Sequence, residues 1–308
     1  MPYVRFEAGM KRYLFISSAL LVCLYSVQAL PQDFSKVEIK TLKVAGNVYM
    51  LQGAGGNIGV SVGPDGILIV DDQYAPLADK IKVALKNLGD GKLKFILNTH
   101  YHGDHTGSNP VFGPDAPIIS QTNARKRLTA EQQSKFFGWK FPPMAKEGLP
   151  VITFDQSVSV FFNGEEIKVI HFPHGHTDGD CVVFFPTSNV VHMGDDFFQG
   201  RFPVVDLENG GDVEGMTKNV GDIISKLPAD VKIIPGHGAL SDLEGLKLFH
   251  RMLVETTEIV RKKMKAHKTL AQIKAEGLPD EWKTWGAGYI KTEMWLELVY
   301  TSLSAKHS

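Results

Sequence analysis

The 308-residue sequence is poor in cysteine, in charge of one sign and in long apolar runs. It has two cysteines, Cys23 and Cys181, which excludes a framework of several disulfides. Its 33 basic and 34 acidic residues give a formal net charge of -1, and no basic stripe with interleaved aromatic residues is present. This balance argues against a nucleic-acid partner. The hydrophobic fraction of 43% is ordinary for a globular protein with a sizeable core.

A single apolar run stands out near the N-terminus. The basic start Met10–Arg12 precedes an almost uncharged stretch over residues 13–25, and Val27-Gln28-Ala29 has the anatomy of a cleavage site. The pattern predicts a signal peptide over residues 1–29, a periplasmic or secreted mature protein with one cysteine, and no stable membrane insertion after cleavage. An uncleaved anchor is the alternative, although the run is shorter than the about 20 residues that a span requires.

Apolar patterning along the rest of the chain predicts an α/β protein. Residues 30–308 are expected to form one domain with a C-terminal helical extension from about residue 241. A turn over Gly63-Pro64-Asp65-Gly66 predicts a hairpin, and Ser241 with Glu244 is expected to form a helix capping box. The patterns predict strands over 48–51, 58–62, 67–70, 94–98, 117–120, five segments of 151–195 and 232–234, and helices over 76–89, 212–227, from 241, 269–276 and 290–303.

The densest group of chemically active side chains follows the strand at 94–98. The run His100-Tyr101-His102-Gly103-Asp104-His105 packs three histidines and one carboxylate into six positions, in a chain with 11 histidines in total. Imidazole nitrogen and carboxylate oxygen are the ligands that zinc favours in catalytic sites. Four such groups at one strand-to-loop corner could not all be buried in an apolar core without partners. The run therefore predicts a metal site.

Three later motifs share one pattern, in which a strand ends and a side chain able to bind metal follows. They are Gly175-His176-Thr177-Asp178, Gly194-Asp195-Asp196 and Pro235-Gly236-His237-Gly238. Glycine beside each candidate ligand lets the backbone turn sharply and leaves the metal accessible.

In order and spacing, these motifs resemble those of the metallo-β-lactamase superfamily over about residues 40–255. The resemblance implies an α/β fold, a four-layer αββα sandwich, with a binuclear metal site at one edge. It implies ligands for two metal ions: His100, His102 and His176 for the first, Asp104, His105 and His237 for the second, and Asp195 bridging both.

The expected cofactor is two Zn²⁺ ions, with iron or manganese as alternatives because these donors suit all three metals. The resemblance implies that a metal-bound hydroxide, from water whose pKa falls toward about 7, attacks a carbonyl carbon. Asp104 is the expected catalytic residue that orients this hydroxide. The resulting expectation is an exported zinc hydrolase of a small molecule, namely a β-lactam, lactone or ester. The sequence does not define the oligomeric state.

One departure from the family pattern bears on the substrate. The best-known zinc β-lactamases have a cysteine and, three residues later, a lysine where this chain has Asp195 and Phe198; Arg201 is a candidate replacement for the lysine. Asp195 is typical of glutathione thioesterases and lactonases, so a thioester hydrolase of the hydroxyacylglutathione hydrolase type is the alternative. Against it, those enzymes are usually not exported. An iron-containing redox or accessory protein of the same fold, and a binding module without chemistry, are further alternatives.

The remaining candidates are expected to support the site. Four side chains are expected to be structural or to contact the ligands without binding metal: His171, His174, His192 and Asp196. Asp71 and Asp72 are expected to support the metal loop from behind. The glycine loop at 53–56 is either a plain turn or a mobile flap. The segment 122–148 is expected to be irregular, and its aromatic residues at 136–144 either line a substrate cleft or pin the segment to the core.

Overall fold

The computed structural model describes residue 1 and residues 33–305. The predicted signal peptide, residues 1–29, lies outside the described residues apart from Met1, so its cleavage stays a prediction. Within residues 33–305, no helix combines the length and the apolar character that crossing a membrane requires.

The described chain alternates between strands and helices. The strands are β1 (Lys40–Ala45), β2 (Val48–Gln52), β3 (Ile58–Gly63), β4 (Gly66–Val70), β5 (Leu93–Leu97), β6 (Ile118–Gln121), β7 (Gln132–Ser134), β8 (Trp139–Phe141), β9 (Ile152–Phe154), β10 (Ser157–Phe162), β11 (Glu165–His171), β12 (Cys181–Phe185), β13 (Val190–His192), β14 (Lys232–Ile234) and β15 (Ser241–Asp242). The helices are α1 (Ala78–Leu88), α2 (Gly103–Thr106), α3 (Asn109–Phe112), α4 (Thr122–Leu128), α5 (Val213–Ile224), α6 (Leu243–Lys265), α7 (Leu270–Glu276), α8 (Asp280–Lys283) and α9 (Thr292–Ala305).

Two large sheets organise these strands. The first has the order β1-β2-β3-β4-β5-β6-β9 and the second has the order β10-β11-β12-β13-β14-β15. The predicted hairpin is confirmed, since β3 and β4 are antiparallel and Gly63 pairs with Gly66. The neighbours β4, β5, β6 and β9 are parallel, as are β13 and β14. Parallel strands place their carboxyl ends at the same edge of a sheet, where ligands commonly bind.

Three apolar clusters separate four layers. One lies between α1 and the first sheet and includes Leu51, Ile69, Ile81, Leu85 and Ile96. The second lies between the two sheets and includes Met50, Leu68, Val70, Val169, Cys181 and Phe185. The third lies between the second sheet and the helices that follow it, and includes Val182, Val191, Met216, Phe249, Trp295 and Leu298. The four-layer αββα sandwich is thereby confirmed, and Cys181 faces the core as expected.

Helix ends follow local capping, with one correction. The Asp212 side chain accepts a hydrogen bond from Gly215 N at 2.6 Å and begins α5. At α6 the predicted capping box at Ser241 is wrong, because Ser241 lies in β15 and Asp242 caps the helix by accepting from Gly245 N. Serine and aspartate are both favoured at the N-cap, so the sequence does not decide which of two adjacent candidates begins the helix.

Two further segments differ from expectation. The segment 122–148 is not irregular throughout, because it contains α4 and the β7–β8 hairpin, which is its own two-stranded sheet. The strand at 152–154, expected beside the later strands, pairs in parallel with β6 of the first sheet. Parallel pairing joins residues that are distant in sequence, and a short apolar run does not reveal it.

The C-terminal helices are tested by one substitution. Leu298 on α9 is fully buried in the third cluster, so Leu298→Ala should lower the free energy of unfolding by about 3 kcal/mol through lost burial and a cavity. Denaturant unfolding measures this loss. The matched control is Leu248→Ala on α6, which is 43% exposed and should change stability by less than about 0.5 kcal/mol. If both substitutions lower the free energy of unfolding by the same small amount, α9 does not pack in the third apolar cluster as described.

Candidate metal centre

All seven predicted ligands come together at one edge of the sandwich. Their donor atoms form two groups in which every atom lies within 4.8 Å of the others. The first group is His100, His102, His176 and Asp195; the second is Asp104, His105 and His237. The two donor groups correspond to the two ligand sets that the family resemblance implies, with Asp195 in the first group, and their binding of metal stays a prediction.

Strand ends position these side chains. His100 and His102 follow β5, and the single-turn helix α2 carries Asp104 and His105. His176 precedes β12, Asp195 lies in the short turn Gly194–Asp196 after β13, and His237 follows β14. Because β5 belongs to the first sheet and β13 and β14 to the second, each donor group combines residues of both sheets.

Asp195 lies between the two groups. One carboxylate oxygen is 3.0 Å from His105 Nε2 and 3.4 Å from His237 Nε2, and the other is 3.4 Å from His176 Nε2 and 3.9 Å from His100 Nε2. Each oxygen thus faces one donor group. This geometry is what a bridging carboxylate requires.

The imidazole nitrogens converge in a manner that suits cations. His176 Nε2 lies 2.8 Å from His102 Nδ1, and His105 Nε2 lies 3.3 Å from His237 Nε2. Buried His100 Nε2 has no hydrogen-bond partner among the described residues. Buried polar atoms normally have partners, and facing ring nitrogens cannot all be protonated. The donor set therefore fits two metal ions bound through nitrogen and carboxylate oxygen.

At Asp104 and His237, burial and the neighbouring charges shift the pKa in opposite directions. Burial raises the pKa of Asp104, but His105 and His237 outweigh it and lower that pKa to about 2. Burial lowers the pKa of His237, but Asp195 and Asp104 outweigh it and raise that pKa to about 9. Burial lowers the pKa of His176 to about 4. Asp104 is therefore ionised and His176 neutral at neutral pH, as metal ligands must be, whereas a metal ion at the second group would have to displace the proton of His237.

Asp71 supports the metal loop from behind, as expected. It follows β4, is fully buried, and accepts hydrogen bonds from Thr99 N at 2.8 Å and Thr99 Oγ1 at 2.7 Å. Oδ2, the oxygen that accepts from Thr99 Oγ1, is also 2.7 Å from His105 Nδ1, which places a proton on Nδ1 and turns Nε2 toward the second donor group. Asp72 accepts from Ser108 N at 2.9 Å and anchors the chain just beyond α2. Both predicted supporting roles are present.

Asp206 also contacts a candidate ligand, although the sequence did not predict it to be part of the site. Its Oδ2 is 3.1 Å from His102 Nε2 and accepts a hydrogen bond from Tyr101 Oη at 2.5 Å. Asn209 Nδ2 donates to both of its oxygens, and Asn209 Oδ1 accepts from Arg127. Asp206 therefore holds the His102 proton on Nε2, so that Nδ1 faces the first donor group. Nothing in its local sequence, a Pro-Val-Val-Asp loop, distinguishes Asp206 from a surface aspartate.

Asp206→Asn tests this orienting role. An amide turned toward His102 removes the charged acceptor, so the affinity of the first metal should fall about tenfold, as for other partners of metal-ligating histidines. Competition with a chromophoric chelator measures the loss. Tyr101→Phe, which leaves the Asp206–His102 contact in place, is the matched control and should change affinity less. Equal effects in both variants would show that Tyr101, rather than the carboxylate charge, orients the ring.

The glycine loop at 53–56 packs directly on the metal loop. Gly56 N donates to Asp104 O at 3.0 Å, and Gln73 Nε2 donates to Gly56 O at 2.6 Å. A Cβ at Gly56 would collide with the His105 ring, so glycine is required for this close approach. The loop is therefore more than a plain turn, and its motion as a flap stays a prediction.

His171, His174, His192 and Asp196 lie outside the two donor groups. His192 Nε2 is 3.0 Å from Asn57 O, and His171 Nδ1 is 2.8 Å from Asp180 O, so both rings bind backbone carbonyls. His174 Nδ1 is 3.3 Å from Gly210 O. Asp196 is buried, and burial followed by the charges of Asp180 and Asp195 raises its pKa well above the usual range.

Aromatic side chains border the site on two sides. Phe198 stacks on His237 with ring centroids 4.9 Å apart, and Trp139 of β8 meets the His102 ring edge-on at 5.3 Å. Phe136, Phe137 and Trp139 also pack on the third apolar cluster. The segment is therefore pinned to the core, as one of the two alternatives expected, and its lining of a substrate cleft stays a prediction. Arg201, the candidate replacement for an anchoring lysine, packs along Gly288.

Comparison with known sequences gives a family and several relatives. Residues 43–237 match the family model described as the metallo-beta-lactamase superfamily. A hydroxyacylglutathione hydrolase of Nitrosococcus oceani is 29% identical over 174 residues, which are 56% of this chain and 59% of that protein. An uncharacterized protein of Aquifex aeolicus is 30% identical over 164 residues, or 52% of this chain and 74% of that one. The chain spans just over half the length of the hydroxyacylglutathione hydrolases from N. oceani and Polaromonas, at 59% and 55%.

Solved structures agree on the fold. The DIM-1 metallo-beta-lactamase superposes with a TM-score of 0.58 at 19% identity, covering 72% of this chain and 99% of its own. The sec-alkylsulfatase Pisa1 from Pseudomonas sp. superposes with a TM-score of 0.64 at 13% identity, covering 85% of this chain and 50% of its own. At these identities the likeness establishes the architecture alone.

Proposed function

The chain belongs to the metallo-beta-lactamase superfamily and is a metal-dependent hydrolase, and from this premise we propose that it hydrolyses acyl thioesters of the hydroxyacylglutathione type with two zinc ions. The observation that carries the proposal is Asp195, whose two oxygens face the two donor groups. A carboxylate is a harder ligand than the thiolate found at this position in the best-known zinc β-lactamases, so the second metal site differs chemically from theirs. The relatives named hydroxyacylglutathione hydrolase, at 26–32% identity, support the same substrate class.

Hydrolysis of a β-lactam, lactone or ester, the main expectation from the sequence, has less support. The structural neighbours of this chain that are named metallo-beta-lactamases are 16–19% identical to it, and at this identity they indicate the fold and no substrate. Phe198 is the residue at the position expected for a carboxylate-anchoring lysine, and its ring stacks on His237. An apolar ring offers no charge to a drug's carboxylate. We therefore rank the thioester first and keep the β-lactam and the lactone as arms of the test.

The chain's own residues divide the work. His100, His102 and His176 would hold one ion and Asp104, His105 and His237 the other, with Asp195 between them. When bound, two such ions polarise a carbonyl and lower the pKa of water. Asp104 is 21% exposed at its side chain and ionised, so it can accept a hydrogen bond from the attacking water and orient it. Phe198 and Trp139 keep bulk water away from two sides of the reacting carbonyl.

Zinc and export are parts of the proposal. Five imidazoles and two carboxylates are donors that bind zinc well. The same donors also bind iron and manganese, so zinc is proposed rather than deduced from the ligands alone. The apolar run over residues 13–25 supports export through a signal peptide ending at Ala29. Mass determination of the N-terminus of protein from the periplasm checks the cleavage, and an N-terminus upstream of residue 13 would contradict it.

The deciding experiment joins metal analysis to a substrate screen. Purified mature protein is assayed for metal by elemental analysis and for turnover of S-lactoylglutathione, nitrocefin and a homoserine lactone. We expect about two zinc ions per chain, because the chain offers two donor groups, and the highest kcat/KM on the thioester. Faster turnover of nitrocefin or of the lactone would overturn the thioester assignment. Iron with no hydrolysis of any of the three would favour a redox protein of the same fold.

A further inference from the structure

The β7–β8 hairpin forms one wall of the metal centre. Trp139 and Phe141 alternate with Lys140 along β8, so both rings lie on the same face of the hairpin. The Trp139 ring meets His102 at 5.3 Å, and the Phe141 ring lies 6.2 Å from Trp139. Phe141 is 38% exposed. An apolar surface therefore starts at a candidate metal ligand and extends away from it.

Other aromatic residues complete this wall. Phe137, in the hairpin turn, stacks on Trp139 with centroids 4.4 Å apart and an interplanar angle of 17°. Tyr289, from the segment before α9, is 57% exposed and accepts a hydrogen bond from Trp139 Nε1 at 3.3 Å. We call Phe137, Trp139, Phe141 and Tyr289 the aromatic wall.

A cavity continues from the aromatic wall toward the metal loop. It encloses about 220 Å³ and is lined by Phe141, Pro142 and Met144 on one side and by Tyr101 and Gly103 on the other. Gly103 lies between the candidate ligands His102 and Asp104 in sequence. The cavity is mostly apolar, and it is large enough for an acyl chain.

The hairpin is held in place rather than free. Ser134 Oγ donates to Glu208 Oε2 at 2.7 Å, and Phe136 N donates to the same oxygen at 3.3 Å. Asn209 Nδ2, which also binds Asp206, donates to Gln133 O at 3.4 Å. The loop that orients His102 therefore also anchors the hairpin. A wall fixed relative to the reacting centre can select substrates by shape.

We propose that the aromatic wall and its adjoining cavity bind an apolar acyl group of the substrate, an aryl-acetyl or medium-chain alkyl group, in preference to a small polar acyl group such as lactoyl. The inference rests on the proposed function for its thioester chemistry. The occupant is the acyl group because the aromatic wall borders His102, a candidate ligand of an ion that would polarise the carbonyl. The thiol half of the substrate would extend over the exposed rim. Desolvating an apolar group against aromatic rings favours its binding over that of acetyl.

The test compares thioesters that differ in the acyl group alone. Metal-loaded protein is assayed with the acetyl, lactoyl, hexanoyl and phenylacetyl thioesters of glutathione. We expect kcat/KM for phenylacetyl to exceed that for acetyl by about tenfold or more, the discrimination usual for an apolar pocket. Trp139→Ala should shrink this ratio at least about fivefold. Phe161→Ala, an aromatic side chain that is 77% exposed on β10, should leave the ratio unchanged.

The opposite results are equally clear. A ratio near one in the unmodified protein, or an equal loss on every thioester in Trp139→Ala, would overturn the proposal and leave the aromatic wall as a surface for another partner. If Trp139→Ala loses metal, Phe141→Ala is used in its place. The Phe141 ring contacts Trp139, whereas the Trp139 ring contacts the candidate ligand His102. Metal content and the far-ultraviolet spectrum of each variant are measured alongside.

A binding measurement separates this inference from the proposed function. Phenylacetate and acetate are titrated calorimetrically into the metal-loaded protein, which requires no turnover. Tighter binding of phenylacetate that is lost in Trp139→Ala supports the aromatic wall even when no thioester is hydrolysed, in which case the proposed function alone fails. Equal binding of the two carboxylates overturns the inference whatever the protein hydrolyses.

Discussion

Replacing Asp195 with alanine should abolish stable binding of at least one metal ion and lower kcat/KM at least about 10³-fold, because metal ions contribute several kcal/mol to the transition state. Asp195 is buried, and its two oxygens lie between 3.0 and 3.9 Å from four imidazole nitrogens. Its removal leaves those rings without their shared anion. Elemental analysis after dialysis, together with steady-state kinetics, measures both losses.

The control for Asp195→Ala is Asp222→Ala on α5. Asp222 is an exposed carboxylate paired with Lys218 at 2.5 Å, so its removal changes the net charge by the same amount without touching the centre. It should keep full metal content and turnover. Two bound metal ions with normal kcat/KM in Asp195→Ala would show that Asp195 does not bridge the groups.

Asp71→Asn should have the second largest effect, although Asp71 binds no metal in the proposed scheme. The substitution keeps the shape and tolerates the positive φ of 63° at this position. It replaces an acceptor oxygen with an NH₂ group that must face His105 Nδ1 or Thr99, both donors in the native arrangement. Turned toward His105, the NH₂ group forces the His105 proton onto Nε2, the atom directed at the second donor group; turned toward Thr99 N, it removes the hydrogen bond that holds the metal loop. Affinity for the second ion should fall about 100-fold.

Metal titration monitored by competition with a chelator measures that affinity. Asp65→Asn is the matched control. Asp65 lies in the turn between β3 and β4 and accepts a hydrogen bond from Asn163 N at 2.6 Å, a contact that is not part of the metal centre. It should cost some stability and no metal. Unchanged affinity in Asp71→Asn would show that His105 keeps its tautomer without this carboxylate.

The candidate ligands were predictable because they are concentrated. Three histidines and an aspartate in six positions, followed by glycine-flanked His176, Asp195 and His237, identify the donor set before any contact is known. The apolar runs on either side of the Gly63–Gly66 turn likewise predicted β3 and β4, and apolar residues at helical spacing predicted α1. The strand-to-loop positions of the ligands then follow from the parallel strands.

What escaped prediction depends on contacts between distant residues. Asp206 orients His102 across 104 positions of sequence, and its own neighbourhood has no periodicity or motif. The β7–β8 hairpin is short and rich in charged and aromatic residues, so its segment gave no alternating pattern. The pairing of β9 with β6 joins two short strands about thirty positions apart. In each case the partner, rather than the local sequence, decides the structure.

The division of each donor group between the two sheets has a consequence for how the protein is assembled. His100, His102, Asp104 and His105 come from the first half of the chain, and His176, Asp195 and His237 come from the second. A chain with only one half folded has an incomplete set for either ion. A metal ion held by either group would therefore link the two halves of the chain and stabilise the folded protein relative to chains in which one half is unfolded.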